Sequence, residues 1–507
     1  MKNPFFIQDQ PGGFQTNGWL DAWDAAVSPL AVAAESAADI AAAVRFAAAH
    51  GVRLVVKGAG HDYLGRNCAP DSLLVWTHAM RDVRFHDAFT PQGAPAGTAP
   101  RAALSVGAGT RWLEAYQGAA AHGHYVQGGG CTTVGAAGGF IQGGGFGSFS
   151  KTFGTGAGGV LEYEVVTAAG EIVIANTHRN ADLFFALRGG GGGTFGIVSR
   201  VTLLAHPMPT RMGLVEGTIA APDDAAFGRL IARLLRFYRE VLDSPPWGEQ
   251  IAIAPDNTIT FFMTILDLDA ETARAAWQPF LDDVAAAGFS VEKAFTFRTH
   301  PFARFFDPDY WDSVEPGFVR RDTRPGAAPD HYWWATNGGE VAEYLYTYQS
   351  RWIPAAQLAP DGADALADAL YRASRHATVR LQINKGLSGA PPEVLARERE
   401  TSVNPVAHGA AMIAILAARK SAGFPGVAGH EPDAREGRAA AARIDAAIAI
   451  LRAATPGSGA YVNECDFFEP DWQASLYGVH YERLLAIKKR YDPGNLLRVH
   501  HGVGSDL

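Results

Sequence analysis

Hydrophobic spacing in the first part of the chain predicts helices that pass into strands and then into glycine-rich turns. In residues 36–56, Ile40 and Val44 share one helical face behind a Ser-x-x-Asp cap, and a glycine precedes a β-branched run. Residues 110–126 repeat this order, with Thr110 as the expected helix cap. The pattern therefore predicts two helix–strand units, each followed by a turn in which glycine dominates.

The pattern changes after the proline-rich stretch near residue 207. Residues 210–455 read as alanine-rich helices alternating with aromatic strands. In residues 378–384, apolar and polar side chains alternate, so this strand is expected to bury one face and to present Gln382 on a polar face. A sheet of this kind suits the wall of a wet cavity. A last amphipathic helix is predicted in the tail, closed at Asp492.

Length and composition narrow the class of protein. A chain of 507 residues exceeds what one hydrophobic core usually supports, which favours two domains. The formal net charge of −9 argues against nucleic acid as a partner. No apolar run resembles a secretory signal or a membrane span, so we expect a cytoplasmic monomer or homodimer without a membrane partner.

The three cysteines lie far apart in the sequence. Cys68, Cys131 and Cys465 cannot form a disulfide framework or a four-ligand zinc site of their own, and no metal is expected. Cys68 and Cys465 are interpreted as packing residues. Cys131 alone would be read in the same way, but it lies in an unusual stretch of glycines.

The first glycine-rich turn is Lys57-Gly58-Ala59-Gly60-His61. It follows a predicted strand, but it lacks the Lys-Ser/Thr pair of a nucleoside-triphosphate site and the helix of a nicotinamide-binding fingerprint. Consecutive backbone N–H groups in such a turn can hold a pyrophosphate. On its own, the histidine would be taken as an ordinary turn residue.

The second glycine-rich stretch, residues 127–159, is longer. Glycine at this density lets a backbone approach a large flat or phosphorylated ligand without obstruction by side chains. A flexible surface loop is the poorer interpretation, because interleaved aromatic residues such as Phe140 and Phe146 favour burial.

Together, the two stretches resemble the FAD-linked oxidases of the vanillyl-alcohol-oxidase type, in particular the berberine-bridge-enzyme branch. In that family, a Gly-Gly-Gly-His turn binds the FAD pyrophosphate, and its histidine is bonded to the 8α-methyl group of the flavin. Doubly linked members also bond a cysteine of the second turn to flavin C6. The resemblance therefore implies FAD attached covalently at His61 and Cys131. The further FAD contacts that it implies are Lys57, Gly58, Ala59, Gly60, Asp62, Gly130, Thr132, Val134, Gly135, Gly138, Gly143, Gly144, Gly145, Gly147 and Asn463.

The resemblance also implies catalytic roles. Relatives carry a tail motif Tyr-x-Asn-Tyr-x-Asp whose second tyrosine often accepts the proton, and Glu464 stands at that position here. We expect Glu464 to be the base, with a salt-bridged or solvated glutamate as the simpler alternative. The competing assignment gives the proton to Tyr461 or to one of Tyr344, Tyr346 and Tyr348. Val134, three positions after Cys131, matches a position read in the family as an oxygen gate, and its short side chain favours an oxidase.

Aromatic residues of the middle segment are the expected substrate contacts, although aromatic stripes more often belong to a core. Three alternating tyrosines are expected to share one strand face. The substrate contacts expected are Tyr344, Tyr346, Tyr348, Gln382 and Trp333, with Trp334 as the alternative to the last.

The resemblance implies an α+β fold with a two-part FAD-binding domain of the PCMH type. This domain comprises residues 1–207 and a C-terminal segment 459–507, and residues 208–458 form a substrate domain with an antiparallel sheet backed by helices. The implied function is removal of hydride from a C–H next to a hydroxyl or amine of a small alcohol, sugar or secondary metabolite, with O₂ reduced to H₂O₂. Alternatives are an oxidative cyclase of secondary metabolism, a flavin dehydrogenase with another acceptor, and a flavin-binding protein without turnover.

Overall fold

Residues 3–507 are described by a computed structural model, except for the side chain of Ile7. The α-helices are α1 (Pro4–Gln8), α2 (Ala37–His50), α3 (Trp112–Ala120), α4 (Gly139–Gln142), α5 (Ser150–Phe153), α6 (Ala181–Ala186), α7 (Asp224–Phe237), α8 (Ala270–Ala286), α9 (Pro308–Val314), α10 (Ala363–Ser374), α11 (Pro392–Glu398), α12 (Ala434–Ala454) and α13 (Tyr481–Tyr491). The strands are β1 (Thr16–Trp19), β2 (Trp23–Asp24), β3 (Leu30–Ala33), β4 (Arg53–Lys57), β5 (Ser72–Trp76), β6 (Val83–Phe89), β7 (Arg101–Gly107), β8 (His124–Val126), β9 (Val160–Val166), β10 (Ile172–Ala175), β11 (Ile197–Pro207), β12 (Arg211–Ala220), β13 (Trp247–Ile253), β14 (Thr258–Leu266), β15 (Ser290–Pro301), β16 (Val319–Arg321), β17 (Tyr332–Trp334), β18 (Glu343–Pro354), β19 (Val379–Gln382) and β20 (Ala410–Lys420). This mixture of helices and largely antiparallel sheets confirms the predicted α+β class.

The two predicted helix–strand units are present. Helix α2 begins at Ser36, whose hydroxyl accepts the backbone N–H of Asp39, and ends at Gly51 in the left-handed conformation. Helix α3 begins one residue later than expected. Its cap is Arg111 rather than Thr110, because the Glu114 carboxylate accepts the backbone N–H of Arg111 and closes the first turn there.

Two sheets carry the glycine-rich turns. Strands β3, β5 and β4 form a parallel three-stranded sheet, and β4 leads directly into the first turn. A six-stranded antiparallel sheet contains β10, β9, β11, β7 and β6, with β8 paired to β11. Helix α2 packs between these sheets through Ile40 and Val44, which contact a core that includes Leu54 and Ile197. Cys68 and Cys465 are buried, as expected of packing residues.

A nine-stranded sheet, in the order β15-β12-β14-β13-β19-β20-β18-β1-β2, forms the other half of the molecule. Helices α7, α8, α10 and α12 cover one of its faces, and their core includes Phe227, Trp277 and Leu370. Strand β1 runs parallel to β18, so a segment before the first turn joins this sheet. The domain boundaries near residues 207 and 458 remain a prediction.

Strand β19 shows the predicted alternation. Val379 and Leu381 are buried against the helices, whereas Arg380 and Gln382 point to the opposite side, which is open. The buried positions continue the core beneath the sheet, and the polar positions line a cavity above it. The sequence prediction of one buried and one polar face is confirmed.

The three tyrosines of β18 do not share one face. A register irregularity against β20 lies between Leu345 and Thr347, where one strand carries an extra residue. An extra residue of this kind moves every later side chain to the other side of the sheet. Tyr348 therefore faces the cavity, whereas Tyr344 and Tyr346 pack with Leu20 on the far side. The prediction that the three tyrosines share one face is wrong, and the structure places Tyr344 and Tyr346 away from the cavity.

The helices and the ligand-type side chains of residues 3–507 bear on possible membrane and metal partners. None of the helices is both long and apolar enough to cross a membrane. Within the same range, no group of three or more His, Cys, Asp and Glu side chains is placed to hold a metal ion.

Candidate active site

A cavity of about 1250 Å³ lies between the glycine-rich turns and the polar face of the nine-stranded sheet. It is lined by both turns, by residues 192–198, by the sheet and by the tail. The predicted FAD contacts that line it are Lys57, Gly58, Ala59, Gly60, His61, Asp62, Gly130, Cys131, Thr132, Val134, Gly135, Gly138, Gly147 and Asn463. Residues distant in the sequence therefore converge on one space.

The first turn is fixed from beneath by Lys57. Its buried ammonium group donates to the backbone carbonyls of Gln10 and Pro11, and burial lowers its pKa to about 7. Gly60 adopts a left-handed φ of 83°, and a Cβ there would lie 3.1 Å from the Gly13 carbonyl. This turn therefore requires glycine at position 60 and places His61 at the cavity wall.

His61 and Cys131 meet at a shared partner. The His61 Nε2 atom lies 3.1 Å from the Thr133 hydroxyl, and the Cys131 sulfur lies 3.5 Å from the same oxygen. Gln8 of α1 also contacts His61 Nε2 through its side-chain amide. Burial, together with the charge of Arg111, lowers the pKa of His61 to about 3, so this imidazole is neutral at physiological pH.

The second turn is held by the tail. Asn463 donates to the carbonyl of Gly139 at 3.0 Å, and the backbone N–H of Gly145 donates to the Tyr461 hydroxyl at 3.2 Å. Gly147 approaches another part of the same turn so closely that a Cβ would lie 1.7 Å from the Gly128 carbonyl. The tyrosine and the asparagine of the Tyr-x-Asn tail motif therefore both hydrogen-bond to the second glycine-rich turn and hold it in place.

Three predicted FAD contacts lie behind the cavity wall instead of on it. Gly143 packs against the Asn463 amide, where a Cβ would come within 2.3 Å. Gly144 and Gly145 take φ values of 122° and 80° and turn the chain after α4. None of the three is among the cavity-lining residues of the described chain. Glycine is needed at these positions for the shape of the turn, not for contact with a ligand.

The cavity fits FAD. A Cβ added at Gly138 or Gly139 would meet no protein atom within 4 Å and would enter the cavity itself, so these glycines leave room for a ligand against the backbone. Two nucleophilic side chains, His61 and Cys131, stand at one end of this space. If FAD is bound, the turns would hold it and it would supply the hydride acceptor.

Glu464 lies at the cavity in an ion pair. Both of its carboxylate oxygens contact the ammonium group of Lys385, which follows the polar strand β19. Both side chains are mostly buried, and the Lys385 ammonium lies 5.7 Å above the ring of Tyr461. Glu464 therefore forms the salt bridge that the simpler alternative expected. It also lines the cavity, so its carboxyl group can reach a ligand there.

The tyrosines of the cavity are poor proton acceptors. Burial, reinforced by the charge of Glu464, raises the pKa of Tyr461 and that of Tyr348 above the ordinary value for tyrosine. The Tyr461 hydroxyl also accepts hydrogen bonds from Gly145 and Asn463. Both phenols therefore keep their protons at neutral pH.

Sequence reasoning missed several carboxyl groups that line the cavity, among them Glu249 and Glu340. Glu249 accepts a hydrogen bond from the Ser148 hydroxyl, and burial raises its pKa. Burial also raises the pKa of Glu340. No local motif marks either residue. Lys385 could have been noticed, because it directly follows the alternating strand whose polar face was predicted to line a cavity.

The tryptophan assignment needs a correction. Trp333 is buried in a cluster with Phe5, Leu113 and Trp311 and is not one of the cavity-lining residues. Trp334 lines the cavity instead, and its indole N–H donates to the Gly130 carbonyl at 2.8 Å. Adjacent residues of β17 point to opposite sides, so only one of the two can reach the ligand space.

Comparison with known proteins agrees with this geometry. The family models described as "FAD binding domain" and "Berberine and berberine like" match residues 28–176 and 460–504. A VAO-type flavoprotein oxidase of Thermothelomyces thermophilus is 32% identical over 477 residues, which are 93% of this chain and 75% of that protein. The chain belongs to the VAO-type FAD-linked oxidoreductases. An FAD-linked oxidoreductase, easE, of Arthroderma benhamiae is 33% identical over 487 residues, 94% of this chain and 89% of that protein.

Solved structures show the same fold. A VAO-type flavoprotein from Myceliophthora thermophila C1 superposes with a TM-score of 0.75 at 28% identity, over 94% of this chain and 79% of that one. The glucooligosaccharide oxidase of Acremonium strictum, with 6-S-cysteinyl, 8α-N1-histidyl FAD, reaches a TM-score of 0.70 over 94% of this chain and 92% of that one. Because its identity is 18%, this second likeness shows the fold alone. The family predicted from the two glycine-rich turns is confirmed.

Proposed function

We propose that this FAD-linked oxidoreductase is an oxidase with FAD attached at both His61 and Cys131. The observation that carries the proposal is the convergence of both side chains on the Thr133 hydroxyl at one end of a glycine-lined cavity. The 8α-methyl group and C6 of a flavin lie at the same end of its ring system, so two attachment residues must stand this close together. A doubly tethered ring leaves its open face to the polar wall of the nine-stranded sheet.

The double attachment is tested by denaturation. Acid-precipitated protein should remain yellow, and His61→Ala or Cys131→Ala should each keep flavin bound through the other residue. The double variant is the matched control and should release all of its flavin. A colourless precipitate from the wild-type protein would contradict the attachment at both residues.

The proposed reaction removes hydride from a carbon that bears a hydroxyl or amine, while Glu464 takes the proton. Arg380, Gln382 and Asn384 line the cavity from the polar strand side and offer hydrogen bonds to hydroxyl groups of a substrate. Anaerobic mixing with alcohols, sugars and phenolic metabolites tests this reaction, because a substrate bleaches the oxidised flavin. Stable yellow protein that no compound bleaches would support the alternative of a binding protein without turnover.

We further propose that O₂ reoxidises the flavin past Val134, which lines the cavity with its short side chain. Its backbone is fixed by the N–H of Trp112, which donates to the Val134 carbonyl at 2.9 Å. Val134→Leu adds a methylene at this wall and should slow reoxidation about tenfold or more, because one methylene in an apolar pocket discriminates on that scale.

Stopped-flow mixing of reduced protein with aerated buffer measures the effect of Val134→Leu. Val134→Ala is the control and should reoxidise as fast as the wild type, and reduction by substrate should change little in either variant. Release of hydrogen peroxide is measured in parallel. Slow reoxidation of the wild type together with fast turnover on an artificial acceptor would instead indicate a dehydrogenase.

A further inference from the structure

The Thr133 side chain is fully buried between the two residues proposed to hold the flavin. Its hydroxyl oxygen lies 3.1 Å from His61 Nε2 and 3.5 Å from the Cys131 sulfur. A hydroxyl group has one proton to donate and two lone pairs that accept. It can therefore accept a hydrogen bond from one of these neighbours and donate its own proton to the other.

We propose that Thr133 is a positioning residue that prepares both attachments, accepting the N–H of His61 Nε2 and donating its proton to the Cys131 sulfur. This inference rests on the proposed double attachment. It goes further by assigning one hydroxyl to both sites.

On the histidine side, the arrangement selects a tautomer. A neutral imidazole carries one N–H, and the nitrogen without hydrogen is the one that can form a new bond. Gln8 contacts the same Nε2 atom, and its side-chain oxygen is buried without a hydrogen-bond partner among the described residues. Turning this amide places that oxygen on Nε2 as a second acceptor. With acceptors gathered at Nε2, the proton stays there and Nδ1 keeps its lone pair.

At Cys131, the hydrogen bond from Thr133 makes the thiolate form easier to reach. Burial, and then the charge of Glu340, raises the pKa of Cys131 to about 11, so the group is a thiol at neutral pH. The thiolate is the nucleophilic form of cysteine. The hydrogen bond from Thr133 opposes the effect of burial, because it stabilises the charged sulfur.

Each attachment exchanges two bonds to hydrogen for one bond to the flavin. At His61, the Nε2–H bond and a C–H bond of the 8α-methyl group break while Nδ1 bonds to that carbon. At Cys131, the S–H bond and the C6–H bond break while sulfur bonds to C6. Each exchange releases two protons and two electrons, and dioxygen, the oxidant of the proposed function, takes them up as hydrogen peroxide.

The test compares Thr133→Val, which removes the hydroxyl and nearly keeps the volume, with Thr133→Ser, which keeps the hydroxyl. Full-length protein is sampled at intervals during expression, and peptide mass spectrometry gives the flavin-modified fraction at His61 and Cys131. Thr133→Val should slow modification of the Cys131 peptide about tenfold to a hundredfold, the range for a lost hydrogen bond to a charged group. It should slow modification of the His61 peptide about twofold to tenfold, the range for a hydrogen bond between neutral groups. Thr133→Ser should follow the wild type.

The total flavin of the purified protein, and the part released by acid, separate attachment from binding. Thr133→Val should still bind FAD but release a larger part of it on precipitation than Thr133→Ser does. If it binds none, Thr133→Ala, which leaves more room, carries the same comparison with the serine variant.

The possible failures are distinct. Wild-type protein without modified peptides would overturn the double attachment itself. Modified wild-type protein together with wild-type rates in Thr133→Val would overturn the role of Thr133 alone. A loss confined to one peptide would overturn the shared role. Slow attachment in Thr133→Ser as well would assign the effect to packing and would also overturn it.

Discussion

Glu464→Gln is expected to slow reduction of the flavin by substrate about 10²–10⁴-fold, the range in which a positioned base usually contributes. Glutamine has nearly the same shape but cannot accept the proton. The tyrosines at the cavity cannot take over this role, because burial, the largest cause, still raises the pKa values of Tyr461 and Tyr348 when the charge of Glu464 is removed. Flavin content and its attachment should not change.

Anaerobic stopped-flow reduction with one substrate across pH measures this effect, beside Tyr461→Phe and Tyr348→Phe. Lys385 loses its partner in Glu464→Gln, so Glu464→Gln/Lys385→Met serves as the control for an unpaired ammonium group. The double variant should reduce as slowly as the single one. If Glu464→Gln reduces within about threefold of the wild type, less than a base contributes, the proton goes elsewhere.

Local patterns predicted those features of this fold that depend on neighbouring residues. The Ser36 cap, the Gly51 stop and the alternation of β19 all appear as expected, because each follows from hydrogen bonding or side-chain direction within a few residues. The glycine-rich turns are also local. A left-handed turn at Gly60 needs glycine wherever it occurs.

The sequence did not reveal the pairing register of strands that lie far apart in the chain. The irregularity between Leu345 and Thr347 depends on how β18 meets β20, about 70 positions later in the chain, and it reverses the sides taken by the tyrosines. Strict alternation of Tyr344, Tyr346 and Tyr348 predicts one shared face only if no residue is added. The choice between Trp333 and Trp334 is of the same kind, because it depends on the side of β17 that faces the cavity.

The sequence also did not reveal the charged and hydrogen-bonding partners of the site residues. Lys385 and Glu464 are separated by 79 positions, and Thr133 and His61 by 72. Glu249 carries a left-handed φ of 64° inside a strand, a conformation that no sequence rule assigns to glutamate. The motifs predicted that His61, Cys131 and Glu464 lie at one cavity, but not the groups that surround them.

Lys385→Met is expected to lower the free energy of unfolding by about 3 kcal/mol, the lower end of the range for breaking a buried ion pair. The reason is that Glu464, which is largely buried, loses its only described ion-pair partner. Methionine has a similar length, so little packing is lost. Equilibrium denaturation of the holoenzyme, with flavin content measured at each point, gives the change.

Glu464→Gln/Lys385→Met separates the structural role of this pair from its chemical one. Removing both charges leaves no buried ion without a partner, so the double variant should recover most of the stability lost in Lys385→Met. It should not recover the rate of flavin reduction, because the proton acceptor is still missing. Recovery of both quantities would mean that Glu464 acts only through the ion pair. The base would then have to be sought at another carboxyl group that lines the cavity, such as Glu249 or Glu340.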